Sequence, residues 1–214
     1  MSVVIADIRR DYKLQSLSEE DVAANPIDQF TKWWDEAVAS NIDEVNAMTL
    51  ATVNAASKPS ARIVLLKGYN VDGFTFFTNY NSQKGQEIAA NPFVSLVFFW
   101  KELERQICIE GTIEKLSDVE SDAYFYSRPI GSRIGAWSSP QSSVINDRSV
   151  LEENAKKYAT EFGEEVPRPP HWGGYLVKPL QIEFWQGRSS RLHDRIVYKR
   201  EKITDNWQIV RLAP

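Results

Sequence analysis

The chain of 214 residues contains one cysteine, two histidines and two methionines. A lone Cys108 excludes an intramolecular disulfide and fits a reducing compartment. His171 and His193 stand far apart, and no CxxC, HExxH or EF-hand spacing occurs, so no metal site is expected. The loops GxxxxGK[ST] and GxGxxG are missing too, which removes the standard nucleotide-binding motifs. No apolar run approaches the roughly 18 residues of a membrane span. The opening MSVVIADIRRDYK turns charged too early for a secretory signal. A net charge of −4 argues against a nucleic-acid surface. These absences point to a cytoplasmic protein without membrane or nucleic-acid partners.

Aromatic residues, by contrast, are plentiful: 12% of the chain, with seven tryptophans. Such side chains fill cores and also line sites for flat ligands. Residues 1–24 are polar and weakly patterned and read as an arm or short helix. Residues 26–40 read as a helix capped by Asn25, with Pro26 in its first turn and Ile27, Phe30, Trp34 and Val38 at helical spacing. Short apolar segments follow at 47–53, 60–67, 73–79, 93–100 and 105–113, and again at 175–185, 195–200 and 206–212. Their spacing predicts an antiparallel meander or small barrel. Helices are expected at 82–91, at 117–127 with Ser117 and Glu120 as a capping box, and at 148–162 with Ser149 and Glu152 as caps. The expected architecture is α+β, a single domain over residues 25–214 preceded by the arm.

Without metal or nucleotide loops, an anion must be held by scattered cations, hydroxyls and backbone N–H groups. Arg62 and Lys67 flank one predicted strand, yet a separation of five positions sends them to opposite faces of a flat strand. They reach one ligand only if the strand twists or bulges, or if the ligand wraps its end. Thr78, Ser82 and Lys84 sit at a strand-to-helix junction, and Gln141 to Ser143 offer an amide and two hydroxyls. Gln106 shares its parity with Cys108 and Glu110, a pattern that suits a ligand face and a solvent face equally. The densest basic stretch is RSSRLHDRIVYKR (188–200), with five cations against Asp194. Alternation places Arg191, His193 and Arg195 on one strand face. Two cations beside an imidazole can make an anion site with a proton handle, and a solvated edge strand has the same pattern.

Several ordered segments carry a more specific signal. RIVLLK, FFTNYNSQKG, ERQICIEG, YFYSRPIGSRIGAWSSPQSS, WGGYLVKPLQIEFWQGRSSRLHDR and the terminal RLAP resemble the pyridoxamine 5′-phosphate oxidase family over nearly the whole chain. The resemblance implies an FMN-binding split β-barrel working as a homodimer, with active sites at the subunit interface. It implies oxidation of pyridoxamine 5′-phosphate or pyridoxine 5′-phosphate to pyridoxal 5′-phosphate, with O2 as acceptor giving H2O2, and NH3 from the amine. Carried over by residue, FMN would meet Arg62, Ile63, Val64, Leu65, Leu66, Lys67, Phe77, Thr78, Lys84 and Gln106. Gln141, Ser142, Trp185 and Arg195, from partner segments, would complete that site. The substrate phosphate would meet Lys67, Tyr124, Arg128 and Ser132. Arg191 and His193 would clamp the substrate ring and assist proton removal, with Leu192 packed behind them. Arg9 and Tyr12, in RRDY, resemble part of a lid over the substrate.

The chain departs from the family pattern at Gln83, where an arginine commonly contacts the flavin phosphate, and at Ile130, where an arginine is frequent. Arg133 adds a charge nearby. Two other readings compete: a non-catalytic binder of FMN or pyridoxal 5′-phosphate, and a different flavin enzyme on the same barrel. The presence of Lys67, Tyr124, Arg128, Ser132, Arg191 and His193 together favours the oxidase.

Overall fold

The computed structural model describes Ile5 and residues 11–214. Arg9 therefore lies outside the described residues. In chain order the elements are α1 (Pro26–Ala39), β1 (Ala47–Val53), β2 (Pro59–Leu65), β3 (Gly68–Asn70), β4 (Gly73–Asn79), α2 (Gln83–Ala90), β5 (Phe93–Trp100) and β6 (Arg105–Lys115). They continue with α3 (Asp118–Ser127), α4 (Ile130–Ser138), α5 (Ser149–Phe162), β7 (Trp172–Gln186), β8 (Asp194–Lys199) and β9 (Gln208–Arg211). Hydrogen bonding orders the strands β2-β1-β5-β6-β7-β4-β3, with β8 on β7 and β9 on β8. The pairs β3–β4, β4–β7, β7–β8 and β8–β9 are antiparallel, with Phe77 opposite Gly174 and Trp185 opposite Arg195.

The chain forms two compact units. The first comprises residues 1–49, 95–110 and 179–214. Its core is aromatic: Phe30 meets Phe98 edge-on at 5.5 Å, and Trp33 meets Phe184 at 5.2 Å. Helix α1 supplies both Phe30 and Trp33. The Asn25 side chain accepts from the Ile27 N–H at 2.8 Å, and Pro26 occupies the first turn. The buried stripe is Ile27, Phe30, Trp33 and Ala37. This corrects the predicted register: Val38 is 48% exposed, and Trp34 only flanks the core, stacked on Phe30 at 6.0 Å. Two adjacent tryptophans fit either stripe, and the packing partner decides between them.

No helix forms in the arm over residues 11–24; side chains pin it instead. The buried Glu104 carboxylate accepts from the Lys13 and Leu14 N–H groups at 2.8 and 3.1 Å. Asp194 accepts from the Leu17 N–H, and Arg211 binds Glu19 in a fork at 2.8 and 3.0 Å.

The second unit comprises residues 50–94 and 111–178. Phe125, Val166 and Trp172 form its buried cluster, with Phe77, Tyr124, Ile134 and Trp137 against it. Helix α3 starts at the predicted capping box, both of whose bonds form. Helix α4 has no counterpart in the predicted elements; IGSRIGAWS is short and carries two glycines, so its helical periodicity is weak. The short strand β3 was also unsignalled. At α5 the expected Ser149 cap does not form. Arg148 is the N-cap residue, and the Asp147 carboxylate takes the Ser149 N–H at 2.6 Å.

Candidate functional site

The second unit contains a cavity of about 490 Å³ lined by β2, the β4–α2 junction, α3, α4 and the start of β7. That volume falls within the usual range for small-molecule sites. Its cations are Arg62, Lys67, Lys84 and Arg128, and no carboxylate lines it among the described residues.

Each cation arrives by a different local device. Arg62 projects from the middle of β2. That strand ends at Leu65, so Lys67 stands beyond it, where the chain turns into β3. The opposite-face problem posed by their separation disappears because no flat strand joins them. Leu66 is buried in the core and does not line the cavity, whereas Ile63, Val64 and Leu65 do. The predicted strand 60–67 thus runs two residues too far at its C-terminal end.

Lys84 sits in the first turn of α2, whose N-cap Ser82 accepts from the Gly85 N–H. A Cβ on Gly85 would lie 2.1 Å from the Tyr80 carbonyl oxygen, so only glycine lets this turn close. The Lys84 ammonium donates to Gln141 Oε1 at 3.0 Å, Thr78 Oγ1 at 3.3 Å and Ser82 Oγ at 3.4 Å. Burial, then the Arg62 charge, pushes its pKa down.

Arg128 caps the C-terminus of α3, with its guanidinium 4.7 Å above the Trp172 ring. Its Nη1 is buried and has no hydrogen-bond partner among the described residues, and burial lowers its pKa. Arg133 fixes the backbone beneath it, donating from Nε to the Arg128 carbonyl at 3.1 Å. Phe77, Tyr124 and Trp172 stack as an aromatic wall, with Phe77 and Tyr124 centroids 3.9 Å apart and Tyr124 and Trp172 at 6.1 Å. Ser132 completes that side.

Among the described residues, Arg62 is the one of the four that pairs with an acid. Glu87, buried behind it on α2, meets its Nη2 at 3.2 Å and also accepts from Thr52, Ser60 and Gln83. Burial pushes the Glu87 carboxyl up, and these four bonds outweigh it and hold it at about 2. Gln83 therefore points at a carboxylate.

Gln141 lines the cavity of its own chain, although it was expected from a partner segment. Ser142 does not line it; it is exposed at φ 69°. Asn79 and Trp172 line the cavity and were not predicted. Only the WGG sequence of Trp172, a ring followed by two residues without side chains, hinted at close packing.

The remaining expected site residues among those described, apart from Ser142, lie in the first unit. The Trp185 and His193 rings are 4.6 Å apart, and Tyr12 meets them at 5.8 and 6.0 Å. Gly187 makes room: a Cβ there would lie 2.7 Å from the Tyr12 ring. RLHDR is not a continuous strand. Ser189–Arg191 form a 3₁₀ turn, His193 follows in the loop, and β8 begins only at Asp194. The expected common face of Arg191, His193 and Arg195 therefore does not exist. Leu192 is 70% exposed and does not pack behind them.

Three of the five cations in the basic segment are held by the protein's own groups. Arg195 is held by Glu183 at 2.7 and 2.8 Å, and Arg188 by Asp194 at 3.1 Å. Arg200 donates to the Pro179 and Ile203 carbonyls and covers Trp207 at 4.1 Å. Gln106 shares a half-buried face with Cys108, donating to its sulfur at 3.3 Å. Burial, with the charges of Glu183 and Glu110, pushes that thiol up to about 11. His171 touches the Ala136 carbonyl at 3.3 Å and Trp137 edge-on.

Comparison with known proteins gives the family. Residues 34–161 match the family described as pyridoxamine 5′-phosphate oxidase, and residues 172–214 match the pyridoxine 5′-phosphate oxidase C-terminal dimerisation region. The chain is 60% identical over 210 residues to the pyridoxine/pyridoxamine 5′-phosphate oxidase of Cupriavidus metallidurans, covering 98% of this chain and 99% of that one. Among solved structures, PhzG from Burkholderia lata, crystallised with tetrahydrophenazine-1-carboxylic acid, superimposes with a TM-score of 0.87 at 29% identity, over 94% of this chain and 99% of that one. A pyridoxamine 5′-phosphate oxidase-related, FMN-binding protein from Nostoc punctiforme shares the fold, the split β-barrel, with a TM-score of 0.69 at 17% identity, over 86% of this chain and 97% of that one.

Proposed function

The chain belongs to the pyridoxamine 5′-phosphate oxidase family, and from that premise we propose that it binds FMN and oxidises pyridoxamine 5′-phosphate and pyridoxine 5′-phosphate to pyridoxal 5′-phosphate. O2 is the proposed acceptor, yielding H2O2, with NH3 released from the amine substrate. The observation that carries the reading is the buried, unpartnered Arg128 Nη1 in a cavity lined by cations without a carboxylate. A buried guanidinium edge without a partner is costly unless an anion arrives to satisfy it.

The donors suit two phosphate groups. Lys84, Thr78 and Gln141, with Arg62 behind them, suit the phosphate of FMN; Lys67, Tyr124, Arg128 and Ser132 suit that of the substrate. Phosphate dianions favour such a mixture of cations and hydroxyls. The Phe77–Tyr124–Trp172 wall supports Arg128 from one side, so the guanidinium is oriented before the ligand arrives. When bound, FMN supplies the redox chemistry, and this chain supplies binding, orientation and exclusion of water. A homodimer is the proposed working form, supported by the match to the dimerisation region. Arg191, His193, Trp185 and Arg195 are its proposed contributors at the substrate ring and flavin.

The visible spectrum of the purified protein tests this. A flavin spectrum that bleaches on anaerobic addition of pyridoxamine 5′-phosphate and returns with air is expected. A preparation that takes up no FMN, or a bound flavin that stays yellow, overturns the reading.

A further inference from the structure

The link from β7 to β8 contains two successive non-glycine residues in the left-handed region, Ser190 at φ 57° and Arg191 at φ 62°. Residues with a Cβ adopt this region rarely, and a pair of them marks a backbone held by its surroundings. Its visible result is to fold the Arg188 backbone onto the ring of His193. The Arg188 N–H donates to His193 Nδ1 at 3.0 Å.

A ring nitrogen that accepts carries no proton, so the neutral imidazole holds its one proton on Nε2. Protonating Nδ1 would set one N–H against another. The neighbouring carboxylate does not intervene, because Asp194 accepts from Arg188, Arg211 and the Leu17 N–H. Trp185 and Tyr12 fix the plane of the ring.

We propose that His193 works as a neutral hydrogen-bond donor through Nε2–H, its tautomer set by the Arg188 backbone amide, and not as the base that removes a substrate proton. The inference rests on the oxidase reading. The group it suits is an oxygen anion on an aromatic ring, such as the phenolate oxygen of a pyridoxamine-type substrate. Its effect is to orient that ring, and no proton leaves or joins the imidazole.

The chain has only two histidines, so the tautomer can be read directly. Long-range ¹H–¹⁵N correlation of the ¹⁵N-histidine-labelled protein, assigned by loss of signal in His193→Gln, is expected to show the proton on Nε2 and a bare Nδ1. A proton on Nδ1, or an average of both forms, overturns the proposal. The second arm is turnover. Glutamine places an amide donor near the Nε2 position, whereas asparagine reaches only as far as Nδ1. His193→Gln is expected within about threefold of wild type, with Asn and Ala about ten- to a hundredfold lower, the range for a hydrogen bond to a charged group. Gln falling as far as Ala overturns the proposal, because loss of a base lowers all three variants by about 10²–10⁴-fold. Retained flavin absorbance in each variant shows that it is folded and loaded. Failure of wild type to bleach its flavin sinks the oxidase reading itself; bleaching with an inactive Gln variant sinks only the donor role.

Discussion

The basic stretch at 188–200 and the cavity of the second unit are both rich in cations, and they differ in what those cations touch. In the first, Arg188 and Arg195 are paired with Asp194 and Glu183, while Arg200 is held by backbone carbonyls. In the second, Lys67, Lys84 and Arg128 converge from three separate segments with no carboxylate lining the space among the described residues. Charge density along the sequence thus does not by itself tell which cations the fold neutralises. In the basic stretch the fold's own groups hold three of the five cations, and in the cavity only Arg62 has an acid against it among the described residues.

This contrast can be broken by mutation. Arg128→Met should raise the KM for pyridoxamine 5′-phosphate by about a hundredfold, from loss of a charge-assisted phosphate contact. Its denaturation midpoint should hold or rise, because an unpartnered buried charge is removed. A marked loss of stability with unchanged KM would show that Arg128 is structural. Glu183→Ala should do the reverse. It strands Arg195 and should cost about 2–3 kcal/mol in urea unfolding, a little under the range for broken buried pairs. A variant as stable as wild type would mean that the Arg195–Glu183 pair contributes nothing net.

Glu87 sharpens the comparison, being the acid that answers Arg62 from behind the cavity. Its folded pKa, about 2, lies below its ordinary 4.5. Its contribution is therefore full above 4.5 and is lost as pH falls from there toward 2. Glu87→Gln should be less stable than wild type at neutral pH and show a shallower loss across that acid window. Parallel curves for the two proteins would refute the assignment. The smallest effect concerns α5. Asp147→Ala should lower the thermal midpoint slightly, whereas Ser149→Ala should leave it unchanged.

Much of the fold is legible without coordinates. The strands 47–53, 73–79 and 93–100 fall where the short apolar segments place them, and the caps Asn25, Ser82 and Ser117 fix their helix starts. Helix α4 escaped because nine residues with two glycines carry little periodic signal. For RLHDR, parity was applied to a segment that is not a strand, since the left-handed pair Ser190 and Arg191 breaks it before β8 begins. Candidate site residues could be named by family resemblance, but their grouping could not. Whether Arg62 and Lys67 could reach one ligand stayed open in the sequence, and β2 ends before Lys67.

The sequence by itself determined the local preferences, the family, and which residue types were available to bind anions. Those properties depend on neighbours within a few positions or on motifs read in order. Tertiary structure alone decided which cations would be neutralised. Glu183 reaches Arg195 across a β-ladder, Glu19 reaches Arg211 from the arm, and no group among the described residues hydrogen-bonds Arg128 Nη1. Coulomb energy falls with distance in space and takes no account of separation along the chain.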